Sequence, residues 1–213
     1  NTIANVHRRT PLDLFIVPVY ENGRVAALSI HAGLWTSAGL AAAPEAVPVL
    51  RQQLQTIKDR FGFTPGSHDH KALLHALTAL PHDLVISFPD DQIVTVAATM
   101  IGLVDRPRPR AALVSVPLGR HVFAFVWLPR DLLSTTVRLD VQHLLERHTG
   151  AATLDWSLMV EGGNLALLRF VLDTRGQDHV PDNAAIDQAL QDMLRGWNDA
   201  VEQALAQGGD ASR

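Results

Sequence analysis

His68, Asp69, His70 and His75 form the densest group of metal-capable side chains in a chain with ten histidines and no cysteine. Zinc takes nitrogen and oxygen donors that converge tetrahedrally. His68 and His70, however, precede the first full turn of an expected helix, and His75 lies on a separate part of it, so the group reads as solvated or capping residues. His143, Glu146 and His148 approach the spacing of a two-histidine, one-glutamate zinc helix, but the second histidine falls one residue too far along. That offset rotates it about 100° around the helix axis. No G-x-G-x-x-G, G-x-x-x-x-G-K-[ST] or G-x-S-x-G motif is present to cradle a phosphate or present a nucleophile. Glu161-Gly162-Gly163-Asn164 has the glycines but joins two expected strands, with no helix N-terminus to receive an anion, so it reads as a turn. With no nucleophile, base and oxyanion set, the expectation is a segment without catalytic, metal-binding or cofactor-binding residues.

The remaining polar and aromatic candidates also read as structural. Arg106, Arg108 and Arg110 make a short basic strip that an exposed linker explains. With 18 Lys+Arg against 22 Asp+Glu the chain has no broad basic footprint, so no nucleic-acid partner is expected. Trp35, Trp127, Trp156 and Trp197 could suggest a ligand cage, but Trp127 and Trp156 fall on strands expected to be neighbours, where core or interface packing is the simpler reading. Asp187, Asp192, Asp199 and Glu202 read as the solvated face of the last helix. The absence of cysteine excludes a disulfide framework and fits a cytoplasmic setting. No apolar run approaches the roughly 18 to 20 residues of a membrane span. The start, Asn1-Thr-Ile-Ala, has neither an initiator Met nor the apolar stretch of a signal peptide, so a piece of a longer protein is expected.

Leu12 to Val19 and Val25 to Ala32 flank Asn22-Gly23, whose residue types suit the two positive φ angles of a type I′ turn, and this predicts a hairpin. An isolated hairpin is marginal in water, so it must find further strands or pack on the helices that follow. Val47, Leu50, Leu54, Ile57 and Phe61 recur every three or four residues and predict a helix over Pro44–Phe61, capped by Gly62. Ser67 opens a second helix that Pro81 stops. Ser87 and Asp90 suggest a capping box before a third, Asp91–Val104, with Ile93, Val96, Ala97, Met100, Ile101 and Val104 buried. Two Pro-Arg repeats then end the first part, and 1–105 is expected as a hairpin with a three-helix segment.

Ala111 to Pro117 and His121 to Leu128 predict a second hairpin, turning at Gly119. Ser134 caps a helix bearing Val137, Val141, Leu144 and Leu145 and ending at Gly150. Strands Ala151–Val160 and Asn164–Leu172 follow. Asp182 begins a last helix with Ile186, Leu190, Met193, Leu194, Trp197, Val201 and Leu205 in one stripe, and residues 208–213 are expected as a disordered tail. The order ββαββα is that of an antiparallel α+β ferredoxin-like domain over 106–207 with its last strand moved to the front; the alternative is a last strand beyond Arg213. In the permuted case Ala111–Pro117 is an edge strand, His121–Leu128 an inner one, and both helices lie on one face.

Val6 to Arg9 (VHRR), Gly33 to Ser37 (GLWTS), Gly62 to Leu77 (GFTPGSHDHKALLHAL) and Arg106 to Asp131 (RPRPR followed by GRHVFAFVWLPRD) occur in the order found in the large-subunit bacterial NAD-specific glutamate dehydrogenases. The chain resembles their N-terminal ACT-like region over nearly its whole length. The resemblance implies an ACT-like, ferredoxin-like fold and a regulatory or oligomerisation role. It also implies a parent enzyme that oxidises glutamate to 2-oxoglutarate with NAD, which is held elsewhere in the polypeptide. Expected partners are the remainder of the parent dehydrogenase, a second copy of the chain and an amino-acid effector. An effector or interface site is expected near Gly119, Arg120 and His121, or at Ser134. Val114 and Val116 are more apolar than the family pattern leads one to expect, as a different lineage or a second packed surface would explain.

Overall fold

The computed structural model of the chain describes residues 13–78, 80–104, 106–115, 120–160, 164–175 and 181–195. The expectations for Val6–Arg9, the turns at Val116–Gly119 and Glu161–Gly163, Trp197, Val201, Leu205 and the tail 208–213 lie outside the described residues.

Asn22 (φ 49°) and Gly23 (φ 73°) make the first turn as their residue types predict, joining β1 (Asp13–Glu21) to β2 (Arg24–Gly33) in an antiparallel pair. Short helix α1 (Ser37–Ala41) follows, capped by the Thr36 hydroxyl, which accepts the Gly39 N–H at 3.0 Å. A 3-10 turn at Pro44–Ala46 then leads into α2 (Pro48–Phe61), which ends on left-handed Gly62. In α3 (His68–Thr78) the Ser67 hydroxyl accepts the His70 N–H. One further turn, α4 (His82–Val85), precedes α5 (Asp90–Val104). Two details differ from the sequence reading. Ser87 does not cap α5; its hydroxyl donates back to the Leu84 carbonyl at 2.7 Å, closing the turn that ends α4. In the last turn of α5, Leu103 is buried and Val104 exposed. The short helices α1 and α4 carry too few residues to show a period, which is why periodicity passes over them.

β3 (Arg110–Ser115) and β4 (His121–Pro129) form the central hairpin. Ser134 caps α6 (Thr135–Thr149), accepting the Val137 N–H at 3.1 Å, and Gly150 ends it in the left-handed region. β5 (Ala152–Met159) and β6 (Leu165–Asp173) follow, and α7 occupies 183–195, with Asp182 Oδ1 accepting the N–H groups of Ala184 and Ala185.

The four-stranded sheet has the order β3-β4-β6-β5, antiparallel throughout. This is the permuted ferredoxin-like arrangement. β3 fills the place beside β4, so no strand beyond Arg213 is needed there. Trp127 and Trp156 are not on neighbouring strands: β6 lies between β4 and β5, and their partners Leu167 and Phe170 face opposite sides of the sheet. A pattern of alternation cannot reveal this, because pairing order is a long-range property.

Helices cover both faces. On one, Val122, Ala124, Val126, Leu168 and Phe170 pack against Val137, Val141, Leu144 and Leu145 of α6 and Ile186, Leu190 and Leu194 of α7. On the other, Ala112, Val114, Phe125, Trp127 and Leu167 join one core with α2, α3 and α5. Phe88, between α4 and α5, meets Phe125 edge-on at 6.1 Å and Phe123 at 5.4 Å. Burial on both faces explains why Ala111–Val114 and Val122–Leu128 are unbroken apolar runs where a half-exposed sheet would alternate. It also explains the apolar Val114, which is fully buried in the second of these interfaces.

Candidate functional site

The two edges of the four-stranded sheet differ, and that difference locates the candidate site. An edge strand presents unpaired N–H and C=O groups that template association unless something covers them. On β3 the three outward N–H groups are all taken by side chains. Asp187 Oδ1 accepts from Ala111 at 2.7 Å, Asn183 Oδ1 from Leu113 at 2.8 Å, and Gln92 Oε1 from Ser115 at 2.6 Å. Asp187 also pairs with Arg110, Nε to Oδ2 at 2.9 Å. Two expectations are corrected here. Asp187 is not part of a solvated helix face, and Arg110 is not part of a free basic strip; each is held by the other where α7 meets β3. Asp192, by contrast, keeps to the exposed face, beside Arg195 at 3.3 Å.

β5 forms the other edge. Its ladder pairs only with β6 among the described residues, and Leu154, Trp156, Leu158 and the adjoining Val160 are exposed. Over one side of β5 lies a row of side chains spaced four residues apart on α6. Arg138 stacks its guanidinium 4.5 Å from the Trp156 ring centre and donates to Gln142 Oε1 at 3.1 Å; Gln142 donates to Glu146 Oε1 at 3.0 Å. Glu146 Oε1 also accepts the Thr153 N–H at 3.2 Å, at the start of the strand. The Gln142 hydrogen bond, with those from Thr153, holds the Glu146 carboxyl below its ordinary range against the opposing effect of burial. The row fixes α6 on β5, and beyond Thr153 no second strand pairs with its outer side among the described residues.

The residues singled out from sequence lie at two separate places. Gly119 is outside the described residues. Arg120 is exposed and its carbonyl accepts the Thr174 N–H at 3.1 Å, while His121 stands opposite Asp173 across the ladder. There, hydrogen bonds from Arg175 hold the Asp173 carboxyl well below the usual carboxylate range. Ser134 lies past the far end of β4, roughly 26 Å along the strand from His121 at the usual rise, with its hydroxyl engaged as the α6 cap. The structure does not bring these residues together. Among the described residues no group of three or more His, Asp or Glu side chains could hold a metal ion. His70 Nδ1 accepts the Gly66 N–H at 3.3 Å, and Glu146 is engaged as above. No described helix is long and apolar enough to cross a membrane.

The β5 edge was missed from sequence, although its signal is present. Leu154, Trp156, Leu158 and Val160 are large apolar side chains at every second position, with only Trp156 covered by a cation.

Comparison with known proteins follows these structural divisions. Residues 111–198 match the ACT2 domain of glutamate dehydrogenase, and residues 47–106 match helical motif 1 of glutamate dehydrogenase. The chain carries two modules of glutamate dehydrogenase, helical motif 1 followed by ACT2. It is 28% identical over 207 residues to the NAD-specific glutamate dehydrogenase of Halomonas elongata, covering 96% of this chain and 13% of that protein. It is 26% identical over 198 residues to the enzyme of the same name from Pseudomonas aeruginosa, covering 92% of this chain and 12% of that one. A Mycobacterium tuberculosis protein of that name is 23% identical over 140 residues, 66% of this chain and 9% of the relative. The chain thus spans about an eighth of the length of the first two glutamate dehydrogenases. In family terms, helical motif 1 is the layer of α2, α3 and α5 that covers one face of the sheet, and ACT2 is the sheet with α6 and α7.

Proposed function

We propose that this chain is a non-catalytic assembly and regulatory segment of an NAD-dependent glutamate dehydrogenase, and that its sheet joins a second copy through the open edge of β5. The single observation that carries this reading is the contrast between the edges: β3 is closed by Asp187, Asn183 and Gln92, while β5 beyond Thr153 pairs only with β6 among the described residues and exposes Leu154 and Leu158. Antiparallel pairing of β5 with its symmetry mate is self-complementary and closes at two subunits. It extends four strands to eight and leaves no open edge. In this reading residues 1–105 and 106–207 are the two parts of the segment, held by the core they share across the sheet. The parent oxidises glutamate to 2-oxoglutarate in the cytoplasm, with NAD bound outside these 213 residues. The segment contributes contact, and an amino-acid effector would act by changing how the paired sheets meet.

Sedimentation of the 213-residue chain over a range of concentrations, with titration calorimetry against glutamate, aspartate, other amino acids and NAD, tests the reading. A concentration-dependent dimer is expected. A strict monomer at all concentrations, or glutamate oxidation by the isolated segment, sinks it. Heat from an amino acid that also shifts the dimer equilibrium supports effector-dependent pairing.

A further inference from the structure

Arg169 and Asp155 stand on one face of the sheet beside the β5 edge, and each lacks a counter-charge. Arg169 of β6 lies opposite Ser157 of β5, and Val171 opposite Asp155, so Asp155, Ser157 and Arg169 share the face that carries Phe125 and Leu167. Along β5 that face opens to solvent: Met159 packs against the helical core, Ser157 is half-buried and Asp155 is exposed. The Arg169 Nε is buried with no hydrogen-bond partner, and among the described residues neither Arg169 nor Asp155 enters an ion pair. A buried donor on a charged group is costly to leave unmade, so the site is incomplete as it stands.

The parity of the ladder says which backbone groups of β5 face outward. The N–H groups of Ala111, Leu113 and Ser115 point away from β4. Alternation then makes Ala112–Phe125, Ala124–Phe170 and Arg169–Ser157 the hydrogen-bonded pairs, which leaves Trp156 and Leu158 to present their backbone groups outward from β5. The Thr153 N–H also faces out, the bulge between Thr153 and Asp155 accounting for the odd spacing, and Glu146 takes it. A partner strand must therefore use Trp156 and Leu158, stay clear of Thr153 and stop with the strand at Met159. Two symmetric antiparallel registers make the most of that stretch. One is centred on Trp156 and pairs residues 154–158; the other is centred on Ser157 and pairs residues 155–159. Both cover the apolar side chains of the edge, so charge decides between them. Centred on Trp156, the pairing sets Asp155 of the partner subunit opposite Ser157. Arg169 and that aspartate are then two strand spacings apart, roughly 10 Å between Cα atoms, and an extended arginine reaches the carboxylate over the small serine. Centred on Ser157, the row ends on a second Ser157 and both arginines face the axis with no carboxylate.

We infer that two copies of the chain pair β5 with Trp156 on the two-fold axis, and that each Arg169 binds Asp155 of the partner subunit. The inference rests on the β5 pairing proposed above and adds its register and its polar contact. Symmetry makes the contact twice. A slip of register moves each aspartate away from its arginine, so the two ion pairs fix the alignment that the apolar side chains leave open.

Sedimentation equilibrium of charge-reversed chains is the test. Arg169→Glu and Asp155→Arg each set like charges together at both contacts and should weaken dimerisation at least ~10-fold. An equimolar mixture of the two should dimerise within ~3-fold of the unchanged chain, because both contacts of the mixed pair again join opposite charges. The chain has no cysteine, so a single one reports the axis directly. Trp156→Cys should give a disulfide-linked dimer under mild oxidation, since residues paired across the axis bring their Cα atoms within disulfide range, and Ser157→Cys should not. This measurement carries the test if a charge-reversed chain does not fold. Dimerisation unchanged in both single variants, a mixture no better than either, no link through Trp156→Cys, or a link through Ser157→Cys overturns the register and leaves β5 pairing standing. An unchanged chain that stays monomeric, or a dimer that survives Leu154→Lys with Leu158→Lys, removes the pairing and the register with it.

Discussion

Asp187 Oδ1 accepts the Ala111 backbone N–H at 2.7 Å, a contact between residues 76 apart in the chain that closes the outer strand of the sheet. The same carboxylate holds Arg110, so one side chain satisfies a backbone donor and an arginine at once. Asp187→Ala leaves both without their acceptor. The expected loss is roughly 1.5–3 kcal/mol, the usual range for hydrogen bonds to a charged group, and the half-exposed Arg110 adds little beyond it. Asp187→Asn keeps an acceptor for Ala111 and should lose less than half as much. Urea denaturation measures both, and equal losses would show that the ion pair, not the edge hydrogen bond, dominates.

Phe88 meets Phe123 and Phe125 where the helical layer touches the sheet, and it is buried. Phe88→Ala is expected to cost about 3–5 kcal/mol through lost contacts and the cavity left behind. Phe15→Ala, on the exposed face of the hairpin, should change the stability of the 213-residue chain by less than ~0.5 kcal/mol. Thermal or urea unfolding of the two variants gives the comparison. A large effect at Phe15 would mean that the hairpin packs on this segment after all.

Leu154→Lys with Leu158→Lys places two charges on the β5 edge and leaves the Trp156–Arg138 stack in place. The double variant should sediment as a monomer at concentrations where the parent chain dimerises, with an unchanged circular dichroism spectrum. A dimer that persists would move the contact away from β5.

Glu146 has its carboxyl held below its ordinary value of 4.5 by the hydrogen bonds of Gln142 and Thr153. A depressed carboxylate contributes stability that is complete above the unfolded pKa and is lost as pH falls through the lower folded one. Unfolding measured from pH 6 downward should therefore show stability falling as the pH drops below about 4.5, and Glu146→Gln should remove part of that slope. Asp173, held low by Arg175, contributes in the same direction, but the exposure of Arg175 makes the effect small. A wild-type slope retained in Glu146→Gln would place the acid sensitivity elsewhere.

The local features of this fold are written in short stretches of sequence. Asn22-Gly23 specifies its turn because few other pairs tolerate two positive φ angles, Gly62 and Gly150 end helices for the same steric reason, and Ser134 and Asp182 cap helices through side chains that reach the next turn. The unbroken apolar runs of β3 and β4 announce strands buried on both sides, and the order ββαββα carries the sheet type. What the sequence alone could not assign was neighbourhood. Trp127 and Trp156 have alternation that fits adjacent strands, yet β6 separates them, because strand order is decided by which apolar faces find a common core. Asp187 has the period of a solvated helix residue, and only docking of α7 beside β3 turns it into an edge cap. The same docking closes one edge and leaves β5 as the other. The candidate site is thus a tertiary outcome: backbone groups are alike in every residue, and packing alone decides which of them remain unpaired.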